Sequence, residues 1–354
     1  YQRFGVSVSG AMDPWALTVG NRLLGNPDRT AGLRTPRDLA FNPLRPDELW
    51  VVNKGDDSVV IIHEAPSDAR QSERRKDGYA LHFMALPSSI AFGANETTIG
   101  LPGTFATCQE SRNTSEDTQP LNDFMGPALW SSDLTIFAKK NPNGLGSHLD
   151  MLHDNPNCMG IAWQEKNVYW AFGGQRREVV RYDFAEDNGV GNDDHSDGRI
   201  QHYAAGEMGY QSGVPSHMVY NPKDKMLYIA DSGNGRIVKL DTTSGTAGRK
   251  ITSKEPVALD QIMDDAVLAD VVPAGDQLTV PSGLQIRNDY LYVSDNETGR
   301  ISAFNMSGKR VNYLDTGLPK GALMGMAFGP DGKLYLVDAK ASQVLRIDVP
   351  PSSN

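Results

Sequence analysis

The sequence predicts an all-β fold, a six-bladed β-propeller closed by an N-terminal strand, and two observations carry that expectation. A short motif recurs six times, and most copies are followed by two further apolar runs separated by polar turns. No long segment with a helical apolar period competes with them; only ALDQIMDDAVLADVV from Ala258 has a faintly helical pattern.

The motif is a start residue, two variable positions and three mostly apolar residues. It reads PRDLAF from Pro36, PSSIAF from Pro87, CMGIAW from Cys158, PSHMVY from Pro215, PSGLQI from Pro281 and LMGMAF from Leu323. A turn such as NPKDK or GPDGK follows, then a second run: LWVVN from Leu49, VYWAF from Val168, LYIAD from Leu227, LYVSD from Leu291 and LYLVD from Leu334. Third runs are SVVII from Ser58, EVVRY from Glu178, RIVKL from Arg236, RISAF from Arg300 and QVLRI from Gln343. All are β-branched or aromatic-rich and bounded by Gly, Asn, Asp or Pro, as strands are. YALHFMA from Tyr79, RIQHYAA from Arg199 and RVNYLDT from Arg310 fit fourth strands of blades one, three and five. One such sheet cannot bury both faces alone, so the copies stack around an axis. The last blade lacks its own fourth strand, which assigns that place to the N-terminus, with RFGVSVS from Arg3 as the candidate.

LYIADSGNGRIVKLD and LYVSDNETGRISAFN resemble NHL repeats, and the likeness spans roughly residues 32–350. It is weakest in blade two, where an insertion runs from about Glu110 to Asp123. The resemblance implies one propeller at 32–350, a blade-closing segment at 1–31 and a tail at 351–354. Residues 5–26 resemble a short segment of the allophanate hydrolase subunit-two family, on Gly5, Ser9, Gly10, Ala11, Met12, Asp13, Asn21, Leu23, Gly25 and Asn26. A piece this short does not carry that family's activity.

Composition narrows the functions. The 354 residues carry a net charge of -10, which disfavours nucleic acid as the main partner. No apolar run approaches the roughly 20 residues of a membrane span. The two cysteines are too few for a disulfide scaffold or a Cys-rich zinc domain. Cys108, placed in the turn after a second strand, and Cys158, at the start of an inner strand, share one face of adjacent blades. They form either a disulfide, which points to an extracellular or periplasmic protein, or two buried thiols. Sequons at Asn95, Asn113, Asn296 and Asn305 are compatible with secretion.

GSHLDMLHDNPN, leading into blade three, offers His148, Asp150, His153 and Asp154, and His217 follows on the next inner strand. Imidazole and carboxylate suit zinc or a similar divalent transition metal, so His148, Asp150, His153 and His217 are candidate ligands. The competing reading has these histidines hydrogen-bonding backbone. Arg37 is the single charge in a ring with Ser88, Met159, Ser216, Ser282 and Met324; it either anchors a carboxylate ligand or pairs with Asp38 or another acid. The loop from Asp183 holds Glu186 and the candidate Ca²⁺ ligands Asp187, Asp193, Asp194 and Asp197. Placed between third and fourth strands, it is expected on the opposite face, with His195 away from His153. Asp231, Asn234 and Arg236, with Asp295, read as structural turns, and His63, His82 and His202 as structural.

These residues fit a metal- or ligand-binding propeller that presents a small molecule, peptide or protein site on the face of His148, His153 and His217. The alternative is a metal-dependent enzyme, either a lactonase or hydrolase or a relative of the peptidyl-hydroxyglycine amidating lyases. Those lyases, which this propeller resembles, place His directly after Pro. Here that slot holds Arg37, Ser88, Met159, Ser216, Ser282 and Met324, and His217 is displaced by one residue, which reverses a side chain's face in a strand.

Overall fold

Each copy of the motif stands at the start of a blade built on four antiparallel strands. The computed structural model describes residues 32–115, 120–275 and 277–347, and the strand pairing of 21–24. Blade one comprises Pro36–Asn42, Arg45–Asn53, Ser58–His63 and Gln71–Arg75; blade two comprises Pro87–Phe92, Thr104–Gln109, Ala128–Ser131 and His148–Met151. Blade three runs Cys158–Glu165, Val168–Gly173, Glu178–Asp183 and Arg199–Tyr203. Blade four has Met218–Asn221, Met226–Asp231, Arg236–Asp241 and Leu268–Val272; blade five has Pro281–Arg287, Tyr290–Asp295, Arg300–Asn305 and Arg310–Asp315. Blade six joins Leu323–Phe328, Leu334–Asp338 and Gln343–Ile347 to the N-terminal strand Asn21–Leu24. First strands of neighbouring blades pack around a closed ring, the sixth against the first. This is the six-bladed β-propeller that the repeats predict.

The closing strand pairs antiparallel with the last, Asn21 opposite Ile347 and Leu24 opposite Val344, and leaves no open edge there. The candidate from Arg3 lies outside the described residues. Fully buried indoles stand in the blades: Trp50 packs against Phe105 at 5.1 Å and Phe92 at 5.4 Å, joining blades one and two.

Three local expectations are corrected. The fourth strand of blade one is the polar run Gln71–Arg75, not the segment from Tyr79. An outer strand faces solvent and needs no apolar face, so its sequence carries little signal. From Tyr79 the chain makes a helical turn, Ala80–Phe83, whose Phe83 enters the core beside Phe137 and Met151. The segment from Ala258 is two strands. Leu259–Asp264 pairs parallel with Arg199–Tyr203 and antiparallel with Thr246–Lys250, so an insertion of blade four extends blade three to six strands. Leu268–Val272 then completes blade four. Finally, Cys108 lies within the strand Thr104–Gln109, not in the turn after it.

Cys108 and Cys158 form a disulfide between blades two and three, with Cα atoms 5.0 Å apart and both residues buried. Two sequons are sealed by the fold: Asn113 and Asn296 are buried, and the Asn296 amide donates to the Leu323 carbonyl. No helix among the described residues is long and apolar enough to cross a membrane.

The disulfide closes a loop with a sequence separation of 50. Loop-closure entropy makes it worth about 4 kcal/mol. The Cys108→Ala/Cys158→Ala protein is therefore expected to unfold at clearly lower urea, and an unchanged midpoint would refute the estimate.

His202 fastens the inserted hairpin to blade three, with Nδ1 2.9 Å from Glu178 and Nε2 3.1 Å from Asp260. Burial alone pulls its pKa down, but the hydrogen bonds to Asp260 and Glu178 prevail and hold it up at about 9. Relative to an unfolded value of about 6.5, this contribution is complete below that pH and is lost as pH rises through the folded value. The melting temperature of the native protein should thus fall more steeply between pH 6.5 and 9 than that of His202→Gln. Parallel slopes in calorimetry would sink this assignment.

Candidate functional site

Among the described residues, one group of at least three His, Cys, Asp or Glu ligand atoms lies within 4.8 Å of one another: His153, His195 and Glu255. Three separate pieces of chain deliver them. His153 follows the outer strand of blade two, where Leu152 N–H donates to Pro127 O and Asn155 N–H to Met125 O. The Tyr182 hydroxyl donates to the His153 carbonyl at 3.0 Å, and Phe124 packs on the ring at 3.9 Å. His195 stands in the loop joining the third and fourth strands of blade three, two residues before Asp197, whose carboxylate accepts Glu186 N–H. Glu255 comes from the blade-four insertion. Its segment is pinned by Lys254 N–H to Asp154, Ser253 Oγ to Asp260 and Ala258 N–H to Gly198 O.

The Glu255 carboxylate is 3.1 Å from His153 Nε2 and 3.0 Å from His195 Nε2. Ligands of a tetrahedral ion with bonds of about 2.1 Å stand roughly 3.4 Å apart, so small adjustments would admit a metal. Behind His195, Nδ1 meets the fully buried Asp150 carboxylate at 3.0 Å. Carboxylate–imidazole pairs of this kind orient metal-binding histidines. Burial pushes the Asp150 carboxyl up, to about 7, against the pull of its His195 hydrogen bond, while Asp150 is the main group holding His195 above its usual value despite burial. The two titrate as a pair. Burial lowers His153 against the pull of Glu255, and the hydrogen bond from His153 is the main cause that lowers Glu255.

The residues singled out by sequence are thus divided. His153 and Asp150 meet here. His148 stacks on Phe83 at 3.5 Å, its Nδ1 lies 2.9 Å from Leu145 O, and burial is the main cause that lowers its pKa to about 4. His217 stands elsewhere, at the propeller axis. His195, expected on the opposite face, joins His153 because the loop from Asp183 folds back over the end of blade two. Asp187 draws it there, accepting hydrogen bonds from Thr98 N–H and Oγ1. Of the calcium candidates, Asp187 accepts from Thr98 and Asp197 from Glu186 N–H through one oxygen each, the Oδ1 of both making no hydrogen bond; Asp194 accepts from Ser196 N–H, and Asp193 is exposed. Arg37 is buried 4.0 Å from Glu110, which also holds Lys54 at 2.6 Å. His82, read as structural, stands 6.0 Å from the His153 ring, centroid to centroid. Glu255 escaped the sequence reading because a lone Glu in a long insertion has no local motif. The Asp231 turn is structural, accepting from Arg236, Asn234 and Gly209 N–H.

A second feature lies on the axis. The six inner strands enclose a cavity of about 420 Å³ that runs from Asp38 and His217 to Trp163, Tyr220, Arg287 and Phe328. Beyond its floor the motif's second positions, Ser88, Met159, Ser216 and Ser282, are fully buried, and Val214 packs with Leu33 and Met324.

The comparisons bear on fold. The carboxyltransferase domain, subdomain A and B, matches residues 4–92, about a quarter of the chain. This is a carboxyltransferase description rather than the allophanate hydrolase one expected for 5–26, and from Gly32 on the matched stretch is propeller strand and turn. No curated protein matches the sequence significantly. Solved propellers do match. The luciferin-regenerating enzyme has a TM-score of 0.58 at 13% identity, over 93% of this chain and 95% of that one. Regucalcin from Agrobacterium tumefaciens, a calcium-binding protein, has 0.54 at 13%, over 93% and 92%. A catalytically inactive virginiamycin B lyase from Staphylococcus aureus, solved with quinupristin, has 0.54 at 10%, over 94% and 89%. At such identities the likeness concerns architecture.

Proposed function

We propose that this protein is an NHL-type propeller of an oxidising compartment that binds a divalent transition metal, zinc in character, through His153, His195 and Glu255. The observation that carries this reading is the arrangement at His195: one ring nitrogen faces Glu255 and the other a buried carboxylate that fixes the ring. Nitrogen and carboxylate donors suit zinc better than calcium, which prefers six or more oxygens. The Cys108–Cys158 disulfide supports the extracellular or periplasmic placement. With three protein ligands and Glu255 partly exposed, a bound ion would keep a position open for water or ligand. There it would polarise a bound carbonyl or lower the pKa of a bound water. His148 and His217 stand outside this ligand set, and Arg37 remains a separate candidate for a carboxylate ligand.

Metal analysis of the purified protein should find one equivalent of metal that chelator removes. His153→Ala and His195→Ala should each abolish it. Asp150→Asn, which touches no metal, should weaken affinity by about 10–100-fold. Metal retained in both histidine variants would overturn the assignment. Because the three ligands tie blades two and three to the blade-four insertion, chelation should also lower the melting temperature of the native protein and leave that of His195→Ala unchanged.

A further inference from the structure

We propose that the axial cavity is a second, separate site, one that takes a small apolar amine with its ammonium group seated at Asp38 and His217. At the floor, Asp38 is 5% exposed and each of its oxygens accepts one backbone N–H, Leu39 at 2.8 Å and Ile90 at 3.0 Å. Among the described residues no Lys or Arg pairs with this carboxylate, because neighbouring Arg37 turns to Glu110. The other polar group at the floor is His217, also 5% exposed. Its Nδ1 faces the Ser282 carbonyl at 3.1 Å, which assigns the ring proton to that nitrogen. Its Nε2 is 3.2 Å from Asp38 Oδ1 yet makes no hydrogen bond. Protonated, the ring forms an ion pair with Asp38 at this distance; neutral, with its proton on Nδ1, it leaves Nε2 and Asp38 Oδ1 side by side as two acceptors with no donor between them.

A buried carboxylate without a cation is costly, and an ammonium group that donates to both acceptors relieves that cost. A carboxylate ligand would bring like charge to Asp38, and a neutral alcohol would supply one donor without compensating charge. Above the floor the walls carry Ile90, Ile161, Met218, Leu284 and Met326 from five different blades, and Gln285 and Arg287 bring polar groups to the lining. The volume of about 420 Å³ falls within the roughly 300–1,000 Å³ of small-molecule pockets and far exceeds one water. The ligand class that follows is a single amine on an aliphatic or aromatic body.

The site shares no residue with His153, His195 and Glu255, so its test is independent of the metal. Titration calorimetry at neutral pH would compare 4-phenylbutylamine, 4-phenylbutanol and 4-phenylbutyrate on the full chain, before and after chelator. The amine should bind at least tenfold tighter than the alcohol, the carboxylate should not bind, and chelator should change none of this. Asp38→Asn should erase the difference between amine and alcohol. Asp38 also accepts backbone N–H groups, so Ala162→Trp, which fills the cavity from another blade, provides a second variant and should abolish binding of both. Equal binding of amine and carboxylate, amine binding that survives Ala162→Trp, or no binding of any probe to the native protein would each overturn the proposal.

Discussion

The structure depends on a ring of close contacts around the axis, in which hydrogen bonds join blades one through six in succession and the sixth packs on the first at Gly325 and Asp38. Ser88 Oγ donates to Cys158 O, Ser216 N–H to Met159 O, and Ser282 Oγ to Pro215 O. Ser294 Oγ reaches Met324 O, and Ile90 N–H reaches Asp38 from the neighbouring blade. Unlike the ladders within a sheet, these bonds join separate blades, and they lie where no water could replace a lost partner. They explain the small residues of the motif. A Cβ on Gly325 would fall 2.1 Å from Asp38 Oδ1, and one on Gly160 would fall 2.0 Å from Ser216 O. A side chain at Gly160 or Gly325 would push the blades apart, and the axis is narrow at this end because of it.

The same ring gives the cavity its shape. Tight contact at the first positions of the motif seals one end, so the space between the diverging strands opens toward their far ends. Asp38 and His217 are the two larger polar groups admitted at the motif's third position, where Ser89, Gly160, Gly283 and Gly325 complete the ring. Their closeness follows from the ring: His217 N–H and Nδ1 both address Ser282 O of blade five, while Asp38 is held by Ile90 N–H of blade two.

The His153, His195 and Glu255 cluster has a different origin. It is built from segments the repeat does not specify: the exit of blade two, a loop of blade three and the long insertion of blade four. Parallel pairing of Leu259–Asp264 with Arg199–Tyr203 carries Glu255 across to blade three, and the two carboxylates on His202 fasten that joint. The repeats supply a rigid frame, and irregular insertions on its edge bring the candidate ligands together, in keeping with the way sites are grafted onto common folds.

By itself, the sequence determined the number of blades, the first three strands of most of them and the need for an N-terminal strand to close the sixth. Buried strands must be apolar, and a motif repeated six times leaves radial stacking as the way to bury them. It also marked His153 and Asp150, because closely spaced imidazole and carboxylate groups are visible in a single segment. Tertiary structure alone decided the rest. The outer strand Gln71–Arg75 is polar and solvent-facing, so nothing in its pattern distinguishes it from a loop. His195 and Glu255 reach His153 only because an irregular loop and an inserted hairpin fold over blades they do not belong to, and contacts of that kind leave no periodic trace in the chain.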